Sequence, residues 1–249
     1  MVNYLKKIFL LLALSALIPT GVYGDSITNQ QPYLYDGSSE APEFTSSEMK
    51  VRRAAVKVRT QYGHGSGTYI LYNGFNLVIT ASHVVSERAN IFVTNEEESV
   101  RAQVVYENAV ADIAILLIDK METRKPIKYR PVRDIPGIGE TLYYSGYPSS
   151  HSLMTIRGLV SGYETGGDQG RVIMVHGYGW MGCSGSGVYD RFGRFVGVLW
   201  GVDIAFYAGP QLVEDMLWIS PASNIDLDLL MHGICLRSPD SNKCVGRGG

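Results

Sequence analysis

The sequence predicts an all-β protein: two packed six-stranded antiparallel β-barrels followed by a short C-terminal helix. Three observations carry that reading. From Arg52 onward the chain is a succession of short β-rich runs broken by Gly, Asn and Pro. These runs fall into two sets of about six, one before and one after Pro131. Only Ser223 to His232 carries helical spacing, with Ile225, Leu229 and Leu230 as its apolar stripe and Ser223 or Asn224 as its cap. A chain of 249 residues, 45% apolar and 18% charged, holds enough core-forming side chains for a globular unit. All-β units of roughly 200–250 residues are ordinary.

The chain opens with an address. Lys6-Lys7 precede eleven uncharged residues, Ile8 to Ile18, followed by Pro19 and the small-residue site Val22-Tyr23-Gly24. This is the pattern of a secretory signal peptide over residues 1–24, cleaved after Gly24. An uncleaved anchor would need ~20 apolar residues to cross a bilayer. No later stretch is long and apolar enough, so the cleaved chain is expected to have no stable membrane span. Losing Lys6 and Lys7 would take the formal charge from −2 to −4. With no basic run either, nucleic acid is not expected as a partner.

Residues 25–50 are rich in Ser, Pro and Gly without periodicity and read as a linker or pro-segment. The folded domain is expected over 51–234, with a first barrel at 51–130, a second at 131–222, the helix at 224–232 and a tail over 235–249. Strands are expected at Ala55–Thr60, Gly65–Leu71, Leu77–Ser82, Ala89–Thr94, Val100–Glu107 and Ile113–Ile118. Asn73-Gly74 supplies a hairpin turn between two of them. The second set is Thr141–Gly146, Leu153–Tyr163, Val172–Val175, Gly187–Tyr189, Arg194–Trp200 and Leu217–Ser220, with a tight turn over Asp190 to Arg194. Cys235 and Cys244 flank a short polar segment of the tail. They are either bridged, which export favours, or two free thiols; Cys183 is then the odd one.

Three residues carry the chemistry. Ser184 sits in Gly182-Cys183-Ser184-Gly185-Ser186-Gly187, His83 ends the apolar run Leu77 to Ser82, and Asp112 begins the run Ile113 to Leu117. A serine hydroxyl is a poor nucleophile at neutral pH without a base and a group that orients the base. Singly, each residue is more often structural; in this order with these flanks they form a set. The stretches Gly65 to Ile70, Val78 to Val85, Ala111 to Leu116 and Gly182 to Gly185 resemble the trypsin-like superfamily, in its compact HtrA-like branch, across residues 52–224. Some viral serine proteases are similar. Separations of 29 residues from His83 to Asp112 and 72 from Asp112 to Ser184 suit that branch.

The resemblance implies a chymotrypsin-like fold and a serine endopeptidase acting on protein or peptide substrates through an acyl-enzyme. His83 would be the base, Asp112 its orienting carboxylate and Ser184 the nucleophile, with the N–H groups of Gly182 and Ser184 as oxyanion hole. It implies no metal or organic cofactor, and a secreted or periplasmic location given the signal. With only about 25 residues after the last expected strand, the C-terminal peptide-binding domain that HtrA-like relatives often carry is not expected here. The alternative is a latent or inactive binding protein on the same fold. A lipase or esterase is disfavoured, because the order is His, Asp, Ser and no Gly-x-Ser-x-Gly elbow is present.

Two departures from the family pattern stand out. Cys183 precedes the nucleophile where digestive trypsins carry an aspartate that pairs with a new N-terminus, so that activation route is not expected, although Arg52-Arg53 is a candidate processing site. Ser186 and Gly187 replace a usual glycine and proline. Cys183 lies one residue early for a thiol nucleophile and should point away from His83. By the resemblance, Tyr178, Gly179, Trp180 and Met181, with Leu199, Trp200, Gly201 and Val202, line the pocket for the residue before the scissile bond. Tyr178 stands where trypsins place an aspartate, which implies an uncharged or apolar preference. His64, His151 and His176 match no metal-binding pattern and read as surface or loop residues, with a specificity role conceivable for His176.

Overall fold

The computed structural model describes residues 44–86, 89–149, 151–165, 171–206, 209–238 and 244. The expected signal peptide and most of the expected linker lie outside the described residues. The described residues from Thr45 onward form one compact unit.

The first barrel is built from β1 (Ala55–Thr60), β2 (Gly63–Tyr72), β3 (Phe75–Thr80), β4 (Phe92–Thr94), β5 (Ser99–Asn108) and β6 (Ile113–Ile118). Its order is β1-β4-β5-β6-β3-β2, closed by antiparallel pairing of β1 with β2. A two-residue strand, β7 (Ile127–Lys128), adds in parallel to β2. The second barrel is β8 (Thr141–Gly146), β9 (Met154–Thr165), β10 (Arg171–His176), β11 (Gly187–Asp190), β12 (Phe195–Phe206) and β13 (Pro210–Pro221). These close in the order β10-β13-β12-β11-β8-β9. The two six-stranded antiparallel barrels are those expected, and closure leaves no long sheet edge unpaired.

β6 explains how the barrels pack. All but one of its residues are buried, because both faces are covered. Ala114, Leu116 and Ile118 point into the first barrel with Val56, Val58, Tyr69 and Val78. Ile113 and Ile115 point outward into a shared core with Tyr143, Tyr189 and Phe195 of the second barrel. The second barrel has its own interior of Leu142, Tyr144, Val160, Ile173, Leu199, Leu217 and Ile219.

Among the described residues, two helices flank the barrels. The first, α1 (Ser46–Ala54), lies partly in the expected linker and was not foreseen as a helix. Thr45 caps it in a full capping box, its side chain accepting from the Glu48 N–H while the Glu48 carboxylate accepts from the Thr45 N–H. Buried Glu48 pairs with Arg157 of β9 through the guanidinium Nε, and Arg157 Nη2 donates to Glu48 Oε2 at 2.9 Å. Arg52 and Arg53 fall in its last turn: Arg52 Nη1 donates to Thr155 Oγ1 at 3.0 Å, and the Arg53 carbonyl accepts from the Lys125 N–H at 3.3 Å. The candidate processing site is thus helical backbone packed against the domain.

The C-terminal helix, α2 (Leu227–Arg237), starts and ends later than the expected 224–232. Asp226 is the cap, accepting from the N–H groups of Asp228 and Leu229, whereas Ser223 and Asn224 lie in a preceding 3-10 turn. Gly233 does not stop the helix. It is there because a Cβ would lie 1.8 Å from the Val105 carbonyl oxygen. Leu230 and Ile234 are buried, while Leu229 of the expected stripe is exposed. Cys235 and Cys244 form a disulfide, with Cα atoms 5.8 Å apart.

Candidate active site

The three expected catalytic residues come from both barrels. His83 lies in a 3-10 turn, Ser82–Val85, directly after β3. Asp112 lies just before β6, with φ of 54°. That left-handed conformation is tolerated better by Asp than by most residues. Asn108 helps to fix it, its Oδ1 accepting the Ala111 N–H at 3.0 Å, and the Asp112 carbonyl accepts the Ser82 N–H.

His83 and Asp112 meet directly. His83 Nδ1 donates to Asp112 Oδ2 at 2.6 Å, and the His83 backbone N–H donates to Oδ1 at 2.8 Å. The carboxylate is largely buried and the imidazole about a third exposed. With Nδ1 as the donor, a neutral ring leaves Nε2 as the acceptor. Burial lowers the His83 pKa, but the Asp112 charge and hydrogen bond outweigh it and set it above the usual histidine value.

Ser184 sits in the loop between β10 and β11, whose backbone is bonded in successive tight turns: Cys183 N–H to the Trp180 carbonyl and Ser186 N–H to the Cys183 carbonyl. The Ser184 hydroxyl donates to the Trp200 carbonyl at 3.4 Å. Among the described residues it makes no hydrogen bond to His83. Nor do the Gly182 and Ser184 N–H groups donate within the fold, among those residues.

The loop is tied to the first barrel by residues whose part was not foreseen. The Ser66 N–H donates to the Ser184 carbonyl at 2.8 Å, and the Ser66 hydroxyl donates to the Gly182 carbonyl at 2.6 Å while accepting the Tyr147 N–H. Thr80 Oγ1 donates to the Ser66 carbonyl, and Thr68 Oγ1 accepts the Gly187 N–H. A proline at 187 would forfeit that last bond. Gly185, at φ 92°, approaches so closely that a Cβ would lie 2.1 Å from the Ser66 carbonyl oxygen. Gly65-Ser66-Gly67-Thr68 was legible as a motif; its clamping of a loop more than a hundred residues away was not.

The departures have structural counterparts. Cys183 is fully buried in the second barrel with the Tyr144 hydroxyl 3.5 Å from its sulfur, and burial pushes its thiol pKa up. Ser186 is buried against Gly146, and its hydroxyl has no hydrogen-bond partner among the described residues.

Of the expected pocket residues, Gly179 and Val202 lie together. Gly179 donates its N–H to the Glu214 carbonyl of β13. A Cβ on it would lie 2.3 Å from Leu217 and 3.0 Å from Val202 of β12. The Tyr178 carbonyl accepts from the Tyr144 hydroxyl, Met181 from the Ser149 N–H, and Trp200 packs on Trp218 with ring centroids 6.1 Å apart. Gly201 has open space where a side chain would be. The walls at Gly179 are apolar. His176 is exposed and lies 3.9 Å from Asp215. Half-buried His64, read as a surface or loop residue, instead packs beside Gly182. Among the described residues no cluster of His, Cys, Asp and Glu could hold a metal, and no helix is long and apolar enough to cross a membrane.

A family model described as "Trypsin-like peptidase domain" matches residues 65–198, more than half of the chain. No curated protein sequence matches. Solved structures are similar in fold. An inactive form of Rv3671c from M. tuberculosis H37Rv superposes with a TM-score of 0.61 at 20% identity, covering 78% of this chain and 92% of its own. A serine endoprotease from Yersinia pestis gives 0.61 at 21% identity, over 78% of this chain and 69% of its own. The HtrA-type protease AlgW, solved with a tripeptide, gives 0.60 at 18% identity, over 77% and 62%.

Proposed function

The chain belongs to the trypsin-like peptidase family, and on that premise we propose that it is a serine endopeptidase cutting peptide bonds through Ser184, His83 and Asp112. The observation that carries this is the 2.6 Å bond from His83 Nδ1 to buried Asp112. It fixes the tautomer in which Nε2 can take the Ser184 proton as the hydroxyl attacks the scissile carbonyl. Asp112 stabilises the imidazolium that forms. The proton then passes to the leaving amine, leaving an acyl-enzyme that water hydrolyses by the same route. The N–H groups of Gly182 and Ser184 are the proposed donors to the developing oxyanion, a contribution typically worth about 3–4 kcal/mol per donor.

The Ser184 hydroxyl is bonded to the Trp200 carbonyl here, so passing its proton to His83 requires it to leave that bond. Catalytic hydrogen bonds are often long or misaligned in a free enzyme and tighten when substrate binds. The apolar walls at Val202 and Leu217 beside Gly179 support an uncharged or apolar residue before the scissile bond. The N-terminal signal pattern supports export, to the outside or a periplasm. Nucleophile, base and oxyanion donors all come from the chain, so this route needs no metal or organic cofactor.

Casein hydrolysis tests the reading: wild type is expected to degrade casein and Ser184→Ala to be inert. The second reading, a latent or inactive binding protein on the same fold, is favoured by the Ser184 hydroxyl facing Trp200. It expects no casein turnover by either protein.

A further inference from the structure

On the leaving-group side of the site the first barrel presents a positively charged face. Lys57 and Arg59 of β1 pair with Ser66 and His64 of β2, so all four share one face of the sheet. Across the other edge of β1 stand Thr94 and Phe92, neither of them acidic. Lys57 is half-buried with its ammonium 5.1 Å from the centre of the Tyr147 ring, and Arg59 is exposed. Neither makes a direct ion pair among the described residues, and the acidic influence on the cluster is that of Glu96, which acts on the Tyr147 ring from a distance. This is a local excess, since the chain as a whole is net negative.

The face borders the reaction centre. Its inner member, His64, donates from Nε2 to the Tyr147 carbonyl at 3.3 Å, and that nitrogen lies 3.0 Å from where a Cβ on Gly182 would be. Burial, then the Lys57 charge, keeps the His64 pKa below the usual value, so near neutral pH this ring donates a hydrogen bond and the positive charge comes from Lys57 and Arg59. Next to it, a Cβ on Gly65 would lie 2.5 Å from Val84 and 2.8 Å from the Ser184 carbonyl oxygen. Residues 64–66 therefore run between the turn that carries His83 and the loop that carries Ser184.

The direction of the substrate follows from the chemistry. The side chain before the scissile bond goes to the second barrel, at Gly179 and Val202. The leaving amine must reach His83 to be protonated, so the residues after the bond leave past β2. We propose that Lys57 and Arg59, with His64 at the inner end, form the leaving-group subsite and select peptides carrying carboxylate side chains in the first few residues after the cut. This rests on the protease reading above.

The test uses fluorogenic peptides identical up to the scissile bond, with Glu, Gln or Lys at the second and third positions after it. Wild type is expected to prefer Glu over Lys by about three- to tenfold in kcat/KM at low ionic strength, the size of exposed charge pairs, with the preference shrinking as salt is added. Lys57→Glu/Arg59→Glu, and the more conservative Arg59→Gln, should invert or flatten that ratio. Reading the ratio within each variant cancels differences in folded or active fraction. Equal rates on all three peptides, or an unchanged ratio in the variants, would overturn the subsite while leaving the protease reading intact. Cleavage of no peptide at all would remove that reading and the subsite with it.

Discussion

The Ser66 hydroxyl donates to the Gly182 carbonyl at 2.6 Å, joining residues 116 positions apart. One side chain of the first barrel thereby holds the loop that carries Ser184 on the second. Ser66→Ala would leave the Gly182 carbonyl and the Tyr147 N–H without this partner. Losing a buried partner costs about 1–3 kcal/mol, and a small displacement of catalytic groups can cost about a hundredfold in rate. The expected outcome is a modest fall in urea-unfolding stability with a fall in kcat of at least about tenfold. A variant with unchanged kcat would show that the clamp does not position the loop.

Activity should depend on pH through His83. Its pKa is raised above the usual value of about 6.5, so the neutral base is populated only above that raised value. The rising limb of kcat/KM against pH is expected to lie above 6.5. Asp112→Asn removes both influences that raise it and leaves burial, so the limb should move downward while kcat falls by about 10⁴, as expected when the tautomer is wrong. The stabilising effect of the pair runs the other way. It is fully present below the unfolded-state value and is lost as pH rises through the folded one. Titration of the His83 ring by NMR, beside the rate profile, checks both.

Helix α1 should be held by an acid-sensitive pair. Arg157 holds the Glu48 carboxyl down to about 2 from an ordinary 4.5. Stability from this pair is present above pH 4.5, declines as pH falls and is gone near pH 2. Because Arg157 is partly exposed, Glu48→Gln is expected to cost about 1–3 kcal/mol at pH 7, less than a fully buried pair would. Urea unfolding at pH 7, 4 and 2.5 should show the difference between wild type and variant shrinking along that series.

Gly185→Ala should be severely destabilising. Its φ of 92° disfavours any side chain, and a Cβ would meet the Ser66 carbonyl oxygen at 2.1 Å and Thr80 Oγ1 at 2.3 Å. Backbone blocks it on one side, so relaxation is limited, and a loss of about 3 kcal/mol or more is expected. Chemical denaturation measures it. A loss under about 1 kcal/mol would mean that the inter-barrel contact at Ser66 is looser than described.

Much of the architecture was legible because the strands that position the site have dense apolar patterning. Ala55–Thr60, Ile113–Ile118 and Thr141–Gly146 were expected with the bounds observed. β12 and β13 extend well past the expected Trp200 and begin well before Leu217, since their outer halves mix Asp203, Glu214 and Asp215 with apolar residues. Helix α1 was hidden for a different reason. Its buried set, Glu48, Val51 and Ala54, includes a carboxylate, and the Arg157 that makes burial tolerable is 109 residues away. The capping box at Thr45 and Glu48 was the local signal. At the site, motif order pointed to His83, Asp112 and Ser184. The clamp at Ser66 and the nearness of His64 to Gly182 depend on long-range packing that no local pattern encodes.

The most direct measurement is covalent labelling of the folded protein with a fluorophosphonate probe, followed by peptide mass mapping. The account predicts a single label on Ser184, absent in Ser184→Ala and strongly reduced in His83→Ala. No label on folded wild type, or a label that persists in Ser184→Ala, would contradict it.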